Sequence, residues 1–121
     1  MLVGHSMGGK VAKLLASWHP AGLEGLPLVA PSPPVPMAIS EEQRKQMIEA
    51  YGTRQGVGGL IQHVLTALSI PQKLHEMIIE DTLRGPPQAK RTWPEVGMIE
   101  DISPAVGNIN VPTLVLRGGN D

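Results

Sequence analysis

The sequence predicts an α/β fold in which parallel strands alternate with helices and a helical block is inserted between them. Three observations predict it. The short apolar stretch Met1-Leu2-Val3 runs into a glycine-rich turn and then an apolar-periodic helix. A second β-type run, Leu26-Pro27-Leu28-Val29-Ala30-Pro31, follows that helix. This strand-helix-strand order implies parallel strands joined by a crossover. A third β-type run, at 111–116, comes only after a long series of helical patterns. The chain therefore divides into a strand-helix-strand segment at 1–36, a helical block at 37–95, and a return to the sheet at 96–121.

The elements follow in order. In the first helix Val11, Ala12, Leu14, Leu15 and Ala16 form an apolar stripe, with Lys10 and Lys13 placed on the wet side. His19-Pro20-Ala21-Gly22 ends it with residues that break helices. In the helical block, Ser40-Glu41-Glu42-Gln43 reads as a capping box. That helix runs to Tyr51 and stops at Gly52. A second helix is predicted from Val57 to Leu68, with Leu60, Ile61, Val64, Leu65 and Leu68 on one face. A third begins near Pro71, a residue suited to a first helical turn. It carries Leu74, Met77, Ile78 and Leu83 and ends at Gly85-Pro86-Pro87. A helical turn near 102–106 precedes the last strand.

Composition narrows the class. The chain has 121 residues, enough for one modest domain, and is 41% hydrophobic. Only 2% is aromatic, with no Phe, so its core is aliphatic with methionine filling gaps. The formal net charge is −1 and the basic residues do not cluster, which argues against nucleic acid and anionic membrane surfaces as partners. Without cysteine there is no disulfide framework and no thiolate metal site. No His and carboxylate spacing suggests a metal centre, and no cofactor is expected. No apolar run is long enough for a membrane span. With no signal peptide visible, a cytoplasmic protein is the expectation.

Chemistry enters at Gly4-His5-Ser6-Met7-Gly8. This is the G-x-S-x-G pattern of a nucleophile elbow, a sharp strand-to-helix turn that presents a serine hydroxyl at the top of a sheet. Such a turn holds its serine in strained backbone geometry. Gly4 and Gly8 are then expected to be small because a Cβ would strike the opposite arm, and Gly9 lets the helix cross close to the sheet. The following helix points its N-terminus at Ser6, where free N–H groups stabilise a developing oxyanion. The Met7 N–H is the expected donor. The plain alternative is a glycine-rich turn carrying an ordinary serine, in a chain with 14 glycines. The strand before and the helix after favour the elbow.

With these residues the chain resembles the α/β-hydrolase superfamily. The string Gly4-His5-Ser6-Met7-Gly8-Gly9 looks like that of its single-domain esterases, lipases, haloperoxidase-like perhydrolases and C–C bond hydrolases. Val111-Pro112-Thr113-Leu114-Val115-Leu116, followed by Gly118-Gly119-Asn120-Asp121, resembles the strand and G-x-x-D exit that carry the family's catalytic acid. Leu26 to Pro31 looks like the strand after the elbow helix. The resemblance implies a partial α/β-hydrolase fold with Ser6 as nucleophile, Asp121 as triad acid and the Met7 N–H as an oxyanion donor. Asp101 is a second choice for the acid, better suited to supporting a helix start. The block at 37–95 becomes a helical cap, with Met37, Met47, Leu60, Leu65 and Met77 as residues that line a pocket or pack the helices.

In this superfamily the order is serine, acid, histidine. His5, His19, His63 and His75 all precede Asp121. The second oxyanion donor comes from a loop before the elbow strand. The resemblance thus implies an internal piece of a serine hydrolase, running from elbow to acid and inactive as it stands. The parent would act on a small ester or similar acyl substrate through an acyl-enzyme. The alternative is a non-catalytic truncated homologue or a helical interaction module.

Overall fold

Residues 1–119 are described by the structure, a computed structural model. The strands are β1 (Gly4–His5), β2 (Leu26–Val29) and β3 (Thr113–Leu116). The helices are α1 (Met7–Ala16), α2 (Glu41–Ala50), α3 (Arg54–Leu60), α4 (Gln72–Arg84), α5 (Pro87–Thr92) and α6 (Ser103–Val106). Two π-helical turns, Ile61–Leu65 and Trp93–Gly97, continue α3 and α5. The chain forms two compact units: Met1–Met37 with the chain from Ile99 onward, and Ala38–Met98.

In the first unit the strands form one parallel sheet in the order β1-β2-β3. Gly4 pairs with Leu28 and His5 with Val29, while β2 pairs with β3 from Leu26–Thr113 to Val29–Leu116. Single hydrogen bonds extend the ladder beyond these short strands. Leu2 N–H donates to Gly25 O at 3.0 Å, Ser6 N–H to Val29 O at 3.1 Å and Ala30 N–H to Leu116 O at 2.7 Å. Leu26 and Leu28 are buried on the face of β2 that meets Ala12 and Ala16 of α1, and Leu2, Leu23, Ile109 and Val111 pack around them.

One expectation about α1 is reversed. Lys10 and Lys13, read as solvent-facing, are 3% and 6% exposed, whereas Val11, Leu15 and Trp18 lie exposed. The helix presents its smallest side chains, Gly9, Ala12 and Ala16, to the sheet, because small residues permit the close approach that large ones obstruct. Lys10 and Lys13 share that buried flank and meet backbone carbonyls there: Lys10 Nζ donates to Glu100 O and Lys13 Nζ to Ser32 O. Of the predicted stripe, Ala12 and Ala16 face the sheet while Val11 and Leu15 turn to solvent.

The helical unit starts as its sequence specifies. Ser40 Oγ accepts from Gln43 N–H at 3.1 Å and Gln43 Oε1 accepts from Ser40 N–H at 2.9 Å, the reciprocal capping box. The next helix begins at Arg54 rather than Val57, because Thr53 Oγ1 caps it by accepting from Gly56 N–H at 3.0 Å. Its predicted apolar face is also corrected. Val57, Ile61 and Ile79 form the buried core, with Ile70, Ile78 and Leu83 packed against it. Val64, Leu65 and Leu68 are 60%, 58% and 77% exposed. The helix ends in the π turn Ile61–Leu65, so Val64 and Leu65 stand in its last turn and Leu68 lies beyond it. Leu74 and Met77 of α4 are exposed too, and Ile79 takes the core position. Residues 87–97, with no assigned helix in the sequence reading, form α5 and its π turn, where the Trp93 ring lies over Gly97.

Candidate active site

Ser6 stands between the end of β1 and the first residue of α1, at φ 49° and ψ −121°. A left-handed φ at a non-glycine residue costs on the order of 1–3 kcal/mol and persists only when the surroundings impose it. The Ser6 side chain makes no capping bond to the helix it precedes. The residue is exposed, and the N-terminus of α1 opens directly beside it. By helix geometry the Met7 and Gly8 N–H groups have no acceptor within α1. Together with the positive end of the helix dipole they favour negative charge at this point.

The glycines around Ser6 have different jobs. A Cβ at Gly4 would lie 2.7 Å from Gly9 Cα, 2.8 Å from Ala12 Cβ and 2.8 Å from Gly8 O. Gly4 must therefore be bare for α1 to leave the strand at this angle. Gly8 does not meet the expectation made of it, since a Cβ there would have no atom within 4 Å. The close approach falls on Gly9, whose Cβ would sit 2.6 Å from Pro31 Cβ and 2.9 Å from Pro31 Cα. Gly4 thus meets the opposite arm of the turn, as expected, and Gly9 meets the exit from β2.

That exit wraps the Ser6 turn. Ala30 is also left-handed, at φ 41°. Ser32 N–H donates to Ser6 O at 2.9 Å, and the same oxygen accepts from Gly9 N–H at 2.9 Å. Ser32 O accepts from Lys13 Nζ at 2.6 Å. Burial, and then the nearby Lys10 charge, lower the Lys13 pKa from its usual value. Ser32 and Lys13 were missed as site residues. The proline-rich run Pro31-Ser32-Pro33-Pro34 was the available signal, since it announces a constrained path out of the strand.

The other predicted residues are distributed as follows. Asp121 lies outside the described residues. Asp101 Oδ1 accepts from Ser103 N–H at 2.9 Å at the start of α6, and hydrogen bonding from Ser103 lowers its pKa. It supports a helix start, as its position before α6 suggested. The His19 ring bonds Asn108 O and its backbone N–H donates to Ala16 O, so it ties the end of α1 to the approach to β3. His5 and His63 are exposed, and His75 Nε2 is buried beside Gly58 without a partner. Among the described residues no group of three or more His, Asp or Glu is placed to hold a metal ion, and no helix is long and apolar enough to cross a membrane.

Parallel strands paired in this order, with a strained serine joining the first strand to its helix, define a partial α/β-hydrolase fold. The chain belongs to the Hydrolase_4 family, described as serine aminopeptidase, S33, whose model matches residues 1–121. Among solved structures it is similar to a membrane phospholipase A described as a novel bacterial virulence factor, with a TM-score of 0.66 and 23% identity. That match covers 97% of this chain and 40% of the phospholipase chain, so the present chain spans well under half the length of that relative. No curated protein matches the chain.

Proposed function

We propose that this chain carries the nucleophile of a serine hydrolase acting on a small ester or similar acyl substrate. The observation that supports this best is the backbone of Ser6: a left-handed, exposed serine at the start of a helix, its side chain not used as a cap. Local stability does not explain it, because an Asp, Asn or Ser cap in ordinary extended geometry would start α1 at lower cost.

In this reading the turn is a nucleophile elbow. Ser6 Oγ attacks the substrate carbonyl carbon as its proton passes to a base, and the carbonyl π electrons move onto oxygen. The resulting oxyanion is held by the Met7 N–H at the N-terminus of α1. Collapse expels the alcohol, which takes up the proton, and leaves an acyl-Ser6 ester that water then hydrolyses. Asp121 is proposed as the carboxylate that orients the base, in a triad of serine, acid and base. The unit at 38–98 is read as the cap on its position in the chain between β2 and β3.

A fluorophosphonate probe tests the nucleophile directly. In the protein carrying a complete triad the expected result is a single adduct on the peptide containing Ser6, lost in Ser6→Ala. Labelling elsewhere, or hydrolysis of p-nitrophenyl esters that survives Ser6→Ala in the protein carrying a complete triad, would sink the assignment.

A further inference from the structure

We propose that Lys13 is a positioning residue for the Ser6 turn, its ammonium holding the carbonyl of Ser32 while the Ser32 N–H holds the carbonyl of Ser6. The chain of contacts is direct. Lys13 Nζ lies 2.6 Å from Ser32 O, and Ser32 N lies 2.9 Å from Ser6 O. Lys13 is 6% exposed, so its ammonium has little water to turn to and Ser32 O is its hydrogen-bond acceptor here. A charge-assisted bond of this kind is stronger than a neutral one.

The consequence follows from the peptide plane. Ser6 C=O and Met7 N–H belong to one rigid trans unit, with oxygen and hydrogen on opposite edges. Fixing the oxygen fixes where the N–H points. Two donors fix it: Gly9 N–H from the first turn of α1, and Ser32 N–H from the exit of β2. The first is an ordinary feature of a helix start and leaves ψ of Ser6 free to relax with the helix. The second comes from a different element and opposes that relaxation. Pro31, seated against Gly9, sets the distance between the two elements, and the Ala30 N–H bond to Leu116 O anchors the exit to the sheet. Lys13 completes the clasp two turns along the same helix, so α1 carries both the strained residue and the side chain that restrains it.

The functional consequence rests on the reading of Ser6 as nucleophile and Met7 N–H as oxyanion donor, whereas the restraint itself does not. The test uses the 121-residue chain with Lys13→Met, which keeps length and loses the donor, and Lys13→Arg, which keeps charge and donors. Amide hydrogen exchange is read residue by residue on this chain, and the rate of fluorophosphonate labelling on the same variants in the protein carrying a complete triad. Lys13→Met should speed exchange at the Ser32 and Gly9 amides about tenfold or more, as expected for loss of a charge-assisted bond, and leave amides of 41–98 unchanged. It should slow labelling of Ser6, and Lys13→Arg should restore both. A folded Lys13→Met chain with unchanged exchange at Ser32 overturns the proposal. So does a uniform rise in exchange across the sheet unit with labelling unaltered, because that is a stabilising role only. If the protein carrying a complete triad is not labelled, the nucleophile reading falls and exchange at Ser32 still decides the role of Lys13. If Lys13→Met does not fold, Lys13→Gln is read by the same criteria.

Discussion

The sheet unit and the helical unit are held together by different means. Every left-handed residue among the described residues, Ser6, His19, Gly22 and Ala30, lies in the sheet unit. That unit also buries two lysines against backbone carbonyls and has a core of small and medium side chains, Ala12, Ala16, Leu26 and Leu28. The helical unit has none of this strain among its described residues. There α2 and α3 start on side-chain caps, α3 and α4 are linked by Arg54 between Glu76 and Glu80, and Val57, Ile61 and Ile79 fill the interior. The left-handed positions stand at the two ends of α1 and at the exit of β2, and on the proposed reading of Ser6 as nucleophile that strain serves to position a reacting group.

The largest expected effect is at Gly4. Gly4→Ala drives a Cβ into backbone atoms of α1, and we expect a loss of about 3 kcal/mol in urea unfolding, at the upper end for overpacking. Gly8→Ala, in the same motif, should be neutral or stabilising by about 0.5 kcal/mol, since it has room and improves helix propensity. Equal losses at the two positions would erase the distinction drawn between them.

In the helical unit Ile79→Ala should cost about 2 kcal/mol by leaving a cavity between α3 and α4. Leu65→Ala should stay within about 0.5 kcal/mol, because Leu65 is exposed at the end of the helix. A large loss at Leu65 would restore the α-helical face predicted from periodicity. Thr53→Ala should cost about 1 kcal/mol, the usual value of an N-cap, and fray α3 from Arg54 as read by exchange of the Gly56 amide.

The smallest effect is a pH dependence. Hydrogen bonding from Ser103, first through its side chain and then through its N–H, holds the Asp101 carboxyl below the ordinary carboxylate range. As pH falls through that range the unfolded chain takes up the proton first, so stability is present at neutral pH and is lost as pH drops through the lower folded value. Asp101→Asn should flatten that part of the acid unfolding profile. An unchanged profile would remove Asp101 from the start of α6.

The legible parts were those with local causes. Ser40 and Gln43 announced their capping box because both partners lie within four residues. The Ser6 turn was legible because a strand, a bare glycine and a helix follow one another directly. The face of α3 was not, because periodicity assumes a helix continuing to Leu68 and the chain ends it in the π turn Ile61–Leu65. Nor was the environment of Lys10 and Lys13, because hydropathy assigns an ammonium to water and takes no account of a carbonyl offered from another segment.

By itself, then, the sequence determined the order of strands and helices, the Ser40 capping box and the placement of Ser6 at the mouth of α1. These depend on backbone preferences and hydrogen bonds between near neighbours. Tertiary structure alone decided that Gly9 meets the exit from β2, that Ile79 rather than Met77 enters the core, and that Ser32 and Lys13 close around Ser6. Each of these depends on atoms distant in the chain being brought within contact, and no local pattern encodes that distance.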